Sequence, residues 1–312
     1  MPQALSRTAD FESEAEERRS IAALLENVSL EVSSRDAADI ARCADYLDPG
    51  TEVFVSLPPG QPYHGAIAMA ARVRRAGFRP VLHVTARSLA SLSALDDYLG
   101  RAAGEAGVDQ ALVIGGDREG PAGPFDSSLS VLCTGLLQKH GIRRVGVAGY
   151  PEGHPSIPEK VLHDALRAKK ELARESGLEL RVVSQFCFDA GPIVSWLKQT
   201  RKLGLPLHVG LAGPASLTTL LKFAARCGIG NSVRVLRSRT ESIIRLITEA
   251  GPEEAVSGLA RGAAQDASVS VAGLHLFTFG GLLRSARWVR AVRDGNFRLV
   301  PGQPGFQVGT AR

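Results

Sequence analysis

The chain has 312 residues, with 37 Lys and Arg against 32 Asp and Glu, a net charge of +5 and 44% hydrophobic residues. That suits one large α/β domain or two small ones with a substantial core. Aromatic content of 5% argues against a stacking surface for single-stranded nucleic acid, and basic residues scattered among acids favour anionic small molecules over nucleic acid.

Residues 1–14 read as a loose, polar lead-in without a signal-type apolar core, and no apolar run is long enough for a bilayer span. The expected compartment is the cytoplasm, with no membrane partner. Cys43, Cys133, Cys187 and Cys227 are far apart and form no metal-type pair. They read as reduced, mostly buried thiols, and no metal site is expected. A short helix over 15–26 would bury Ile21, Leu24 and Leu25 at helical spacing.

Beyond that helix, apolar β-type runs alternate with helical stretches at intervals of roughly 30 residues, the βαβ rhythm. Strands are predicted over 28–32, 53–57, 80–84, 111–114, 145–148, 180–186, 207–211 and 273–278. Helices are predicted over 66–76, 91–106, 127–140, 159–176, 191–203 and 217–227. For the last of these Ser216 reads as N-cap, Gly228 as C-cap, and Leu217, Leu220, Leu221 and Ala224 as the buried stripe. Further helices over 238–250 and 253–264 precede the final strand. Eight strands in one alternating series fit a (β/α)8 TIM-type barrel with extra helices. No G-x-G-x-x-G follows the first strand, which disfavours a Rossmann unit. The organisation is therefore a lead-in and helix over 1–26, a barrel over 27–290 and a Gly/Pro-rich tail over 291–312 that packs outside or is mobile.

In such a barrel chemistry gathers at the C-terminal ends of the strands. The first strand ends with Glu31, either a general acid with a raised pKa or a structural partner of Arg35. The second ends in Ser56 and the loop Pro58-Pro59-Gly60, and the third carries His83, a satisfied barrel histidine or a ligand. The fourth ends Gly115-Gly116-Asp117, where glycines admit close backbone approach and Asp117 can touch a bound group. The fifth supplies Tyr150, Glu152 and His154 and feeds a helix, with Ser156 and Glu159 reading as a capping box and Pro158 in its first turn. Gln185, beside Phe186 and Phe188, needs partners that a heterocycle could provide, and the eighth strand ends in Thr278 and Gly280-Gly281. Polar groups at six strand ends favour an enzyme over a scaffold.

With these residues in view, the chain resembles the methylenetetrahydrofolate reductase family from about Val28 to Gly281. The carrying segments are Tyr150-Pro-Glu-Gly-His154-Pro155 and Gln185-Phe-Cys-Phe-Asp189. The resemblance implies an FAD-containing barrel that passes hydride from NAD(P)H to a folate one-carbon unit, in one-carbon metabolism feeding methionine biosynthesis. By position it makes Glu31 the acid that opens the folate imidazolidine ring and sets Asp117 between flavin and pterin. Ser56, His83, Gly116, Tyr150, His154, Asp164, Arg167 and Lys170 fall at cofactor positions, and Gln185, Thr219 and Phe223 at substrate positions. Several positions depart from the pattern. Gly115 replaces an arginine, Leu57 a tyrosine, Thr219 a glutamine and Gly281 an arginine; Arg167, Lys170 and Glu171 stand where Asn, Arg and Lys are usual. These losses fall on the cofactor grip more than on the catalytic positions. Three rival readings follow: direct hydride transfer from NADH without flavin, a catabolic methyl-folate oxidising paralogue, and a non-catalytic folate-binding subunit. A homo-oligomer is an open expectation.

Overall fold

A computed structural model describes residues 11–57, 62–226 and 249–309. Eight parallel strands close into a barrel: β1 (Val28–Val32), β2 (Glu52–Val55), β3 (Arg79–Thr85), β4 (Gln110–Ile114), β5 (Arg144–Gly149), β6 (Glu179–Ser184), β7 (Leu207–Ala212) and β8 (Gly273–Phe277). Each pairs with its chain neighbour, and β8 closes on β1 through Val28↔Leu274, Ser29↔His275 and Leu30↔Leu276. The (β/α)8 reading holds.

Side-chain alternation along each strand divides the core in two. One face of each strand packs outward under the helices, as with Leu30, Val53, Leu82, Val113, Val145 and Val209. The other fills the lumen, where Phe54, Val81, Leu112 and Val183 form their own cluster with Ile114. Gly210 leaves room for these layers, because a Cβ there would stand 2.2 Å from the Ser184 carbonyl oxygen and 2.9 Å from the Phe277 ring.

The helices are α1 (Glu14–Ala23), α2 (Tyr63–Arg75), α3 (Leu92–Ala106), α4 (Ser128–Leu132), α5 (Leu136–Lys139), α6 (Glu159–Ser176), α7 (Ala190–Thr200), α8 (Leu217–Arg226), α9 (Glu253–Gln265) and α10 (Leu282–Arg293). In α1, Ser13 accepts from Glu16 N–H, and Ile21 and Leu25 are buried while Leu24 is half-buried. The single helix expected over 127–140 is two: the chain breaks at Thr134–Gly135, where Gly135 takes φ 70°, a conformation helices do not continue through. Ser216 does cap α8, accepting from Thr219 N–H at 3.3 Å. Of the helix expected over 238–250, Glu249–Ala250 instead pair antiparallel with Ala215–Ser216. Its other residues lie outside those described, as do the Gly228 cap, the Pro58-Pro59-Gly60 loop and Cys227. Cys43 and Cys187 are buried free thiols, and Cys133 is an exposed one.

The tail packs outside the barrel. Phe297–Leu299 and Phe306–Val308 form an antiparallel hairpin whose Phe297 and Phe306 rings bury against each other, with Phe306 also on Trp288. Arg18 of α1 lies over the Phe297 ring and donates to the Gly295 and Phe297 carbonyls. No helix among the described residues is long and apolar enough to cross a membrane.

Candidate active site

Glu31 is the penultimate residue of β1 and points into the lumen, in register with Phe54. About a quarter of its side chain (24%) remains accessible, at the floor of the C-terminal mouth, and its Oε2 faces His83 Nε2 of β3 at 3.9 Å. Burial pushes its carboxyl up to about 7; the Asp36 carboxylate adds to that, and a hydrogen bond to Ser56 opposes it. Asp36 is fixed by Ser33 N–H and by Leu282 N–H at the start of α10. Thr278 donates to the Glu31 carbonyl oxygen at 2.8 Å, tying the end of β8 to that of β1. Arg35 is not the partner: among the described residues it forms no ion pair with Glu31, and its stem lies along Gly280.

Below this floor the lumen is unusually polar. The Phe54 ring lies edge-on to His83 at 6.1 Å and against His275 at 4.4 Å. His275 Nδ1 meets Ser29 Oγ at 2.9 Å, while Nε2 of His83 and of His275 has no hydrogen-bond partner among the described residues. Burial lowers all three lumen imidazoles, His83 and His208 to about 4 and His275 well below the usual imidazole value, so they are neutral at pH 7. At the opposite, N-terminal end, Arg181 of β6 spans the lumen to Glu52 of β2 at 2.6 Å and reaches Gln110 at 3.3 Å.

On the next arc of the rim, β4 runs into Gly115-Gly116-Asp117. Gly116 takes φ 93°, and a Cβ there would fall 2.2 Å from Thr85 Cγ2, so only glycine fits. Asp117 is exposed beside Tyr150 and His154, whose rings meet edge to face at 5.1 Å. Burial and then the Asp117 carboxylate raise the Tyr150 phenol, against the pull of Arg87. Burial and then Arg87 lower His154, against Asp117. Arg87, in the turn after β3, was not picked out in the sequence. Its guanidinium is pinned by the carbonyls of Asp126 (2.9 Å) and Arg118 (3.0 Å). Its place two residues past a strand end was the available signal. The capping box at Ser156 and Glu159 does not form: Pro158 is the N-cap of α6, and Ser156 N–H donates to His154 Nδ1 at 3.1 Å.

The α6 residues stand apart from this group. Asp164 pairs with Lys160 at 2.8 Å on the exposed face. Arg167 is exposed, and the Lys170 amine lies over Gly204, in the turn entering β7 at the other end of the barrel.

The third arc is aromatic. Gln185 follows β6 half-buried; its Oε1 accepts from Phe186 N–H at 3.0 Å, and its Nε2 has no acceptor among the described residues. Phe186 meets Phe188, Phe277 and Phe279, with centroids between 5.2 and 5.7 Å. Phe223 of α8 lies 4.6 Å from Phe279. Thr219 is committed to its helix end, its hydroxyl 2.9 Å from Ser216 Oγ. Phe279, also missed in the sequence, has φ 54°, the single left-handed non-glycine among the described residues. Such a conformation costs on the order of 1 kcal/mol and persists where packing over-determines it.

No protein-family model matches the chain. Methylenetetrahydrofolate reductase 2 of Saccharomyces cerevisiae is 26% identical over 162 residues, covering 49% of this chain and 26% of that protein. The match therefore spans about a quarter of that relative's length. Among solved structures, a tryptophan synthase α-subunit variant of Pyrococcus furiosus aligns over 86% of this chain and 96% of its own, at TM-score 0.49 and 11% identity. Dihydropteroate synthase of Thermus thermophilus aligns over 86% and 94%, at TM-score 0.46 and 13% identity. The sequence relative gives this chain a likeness to a methylenetetrahydrofolate reductase over about half its length.

Proposed function

We propose that this barrel is an oxidoreductase that interconverts 5,10-methylene- and 5-methyl-tetrahydrofolate with NAD(P)H. The observation that carries the reading is Glu31: a carboxyl at the floor of the mouth, open to solvent over a quarter of its side chain, and pushed up to about 7. The methylene bridge between N5 and N10 is a poor hydride acceptor while its ring is closed. A proton delivered toward N10 opens it to an N5 iminium, and a carboxyl titrating near neutrality is suited to deliver that proton. Gln185 offers an unpaired amide N–H on the adjoining arc, matched to an acceptor on a pterin edge, and Asp117 offers a carboxylate to pterin donors. Phe223 supplies the flat surface against which such a ring would lie.

The residues around Gly116 fit the ring end of a flavin. The glycine conformation closes the backbone onto Thr85, and Tyr150, His154 and Asp117 gather above it. Bound there, FAD would supply the hydride relay between nicotinamide and folate. Ser56, Gly116, Asp117, Tyr150 and His154 would hold it, whereas His83 is buried below the floor facing Glu31 and stands outside this group. Asp164, Arg167 and Lys170 are not gathered with them, which favours a loosely held flavin and keeps direct transfer from the nicotinamide as the second reading.

The test is the visible spectrum of the purified protein together with mass-spectrometric detection of 5-methyl-tetrahydrofolate formed from the methylene compound and NADH or NADPH. Product is expected. Product from a colourless, flavin-free preparation would favour direct transfer, and folate binding without product would favour a non-catalytic subunit.

A further inference from the structure

One polar contact of the lumen adjoins the proposed acid itself. Glu31 Oε2 and His83 Nε2 face each other at 3.9 Å across the width of β2, and the His83 nitrogen is buried with no other partner among the described residues. Leaving an imidazole nitrogen unpaired in a lumen is costly, so a group facing it is expected to answer it. At 3.9 Å the two stand just outside hydrogen-bonding distance, so the pairing requires the carboxyl to close on the ring by about 1 Å.

The surroundings limit what the contact can be. Glu31 is faced by Asp36 from its own turn, Ser56 from the end of β2 and His83 from β3. His83 is faced by the uncharged Phe54 ring and, more distantly, by His275 of β8, itself neutral. Tyr98 of α3 donates to the His83 carbonyl at 3.0 Å and fixes its backbone. A neutral imidazole carries one ring proton. Placed on Nε2, it meets the carboxyl as a donor; placed on Nδ1, it leaves Nε2 as an acceptor.

We propose that His83 is a positioning residue for Glu31: its Nε2–H donates to Glu31 Oε2, leaving Oε1 to carry the acidic proton. The inference rests on Glu31 being the acid, and it adds what orients that acid. A donor to one carboxyl oxygen also favours the ionised form, so His83 restrains the upward push of burial and lets the proton leave.

Two NMR measurements on the full chain test this without turnover. In the wild type, 15N shifts should show His83 neutral at pH 7 with the proton on Nε2; the Nδ1–H tautomer or an imidazolium would overturn the proposal. In a 13C titration, His83→Phe should raise the Glu31 pKa by about one unit, and His83→Gln, which offers an amide N–H, should return it most of the way. A Glu31 titration unmoved in a folded His83→Phe protein would overturn the proposal. The descending limb of the pH–rate profile should move with the NMR value. A protein inert toward folates would defeat the functional reading, while the two NMR results would still decide the pairing.

Discussion

Arg181 Nη1 of β6 lies 2.6 Å from Glu52 Oε2 of β2, on the far side of the lumen. This bridge and the Gln110 contact close the N-terminal end of the barrel, while the Arg181 guanidinium also sits 5.4 Å from the Phe54 ring centre. The ring it supports is the one that separates His83 from His275.

Arg181→Met should therefore destabilise the protein by about 2–4 kcal/mol, because Glu52 is left charged and largely buried. Adding Glu52→Gln should recover part of that loss. Urea denaturation of the wild type and the two variants checks it, and equal stability of the single and double variants would refute the coupling.

Gly116→Ala should cost about 1–3 kcal/mol and weaken flavin binding, since the new methyl meets Thr85 and the residue must hold a positive φ. Pairing it with Thr85→Ala removes the collision but not the backbone cost. The double variant should recover only part of the loss, as read by thermal melting and by flavin fluorescence.

Gln185→Leu should raise the folate KM strongly. It also strands Phe186 N–H, which now donates to Gln185 Oε1, so a stability loss of about 1 kcal/mol is expected. Steady-state kinetics alongside melting checks both; a stability loss with unchanged folate kinetics would leave Gln185 a structural brace.

The barrel was legible in the sequence because alternating β-type and helical runs of regular length leave few other closed arrangements. The position of Glu31, Asp117, Tyr150, His154 and Gln185 at or just past strand ends was legible because the βαβ rhythm marks those ends. Other features depend on the third dimension. Arg87 joins Tyr150 and His154 only through the barrel's curvature, and Lys170 turns away because its helix descends from the mouth. The left-handed Phe279 is invisible to pattern reading, since residue type argues against it. The break at Gly135 could have been read, because a glycine beside Thr134 is a poor helix interior.

Stability should depend on pH through Glu31 in a defined direction. Its folded pKa of about 7 lies above the ordinary carboxyl value, so the folded state binds more protons between about 4.5 and 7. The favourable contribution is complete below that window and is lost as pH rises through 7. Glu31→Gln should thus be more stable than the wild type at pH 8, by about 1–3 kcal/mol, with the advantage gone near pH 4. Denaturation at the two pH values checks this; an advantage that is larger at low pH would contradict the raised pKa.

The central claim is that Glu31 delivers the proton that opens the folate ring. The most direct measurement is the pH–rate profile for 5-methyl-tetrahydrofolate formation by the wild type and by Glu31→Gln, with folding checked in parallel. The wild type should show a descending limb near pH 7, and Glu31→Gln should lose that limb and turn over about 10²-fold or more slowly. A folded Glu31→Gln protein with the same rate and the same descending limb would contradict the account.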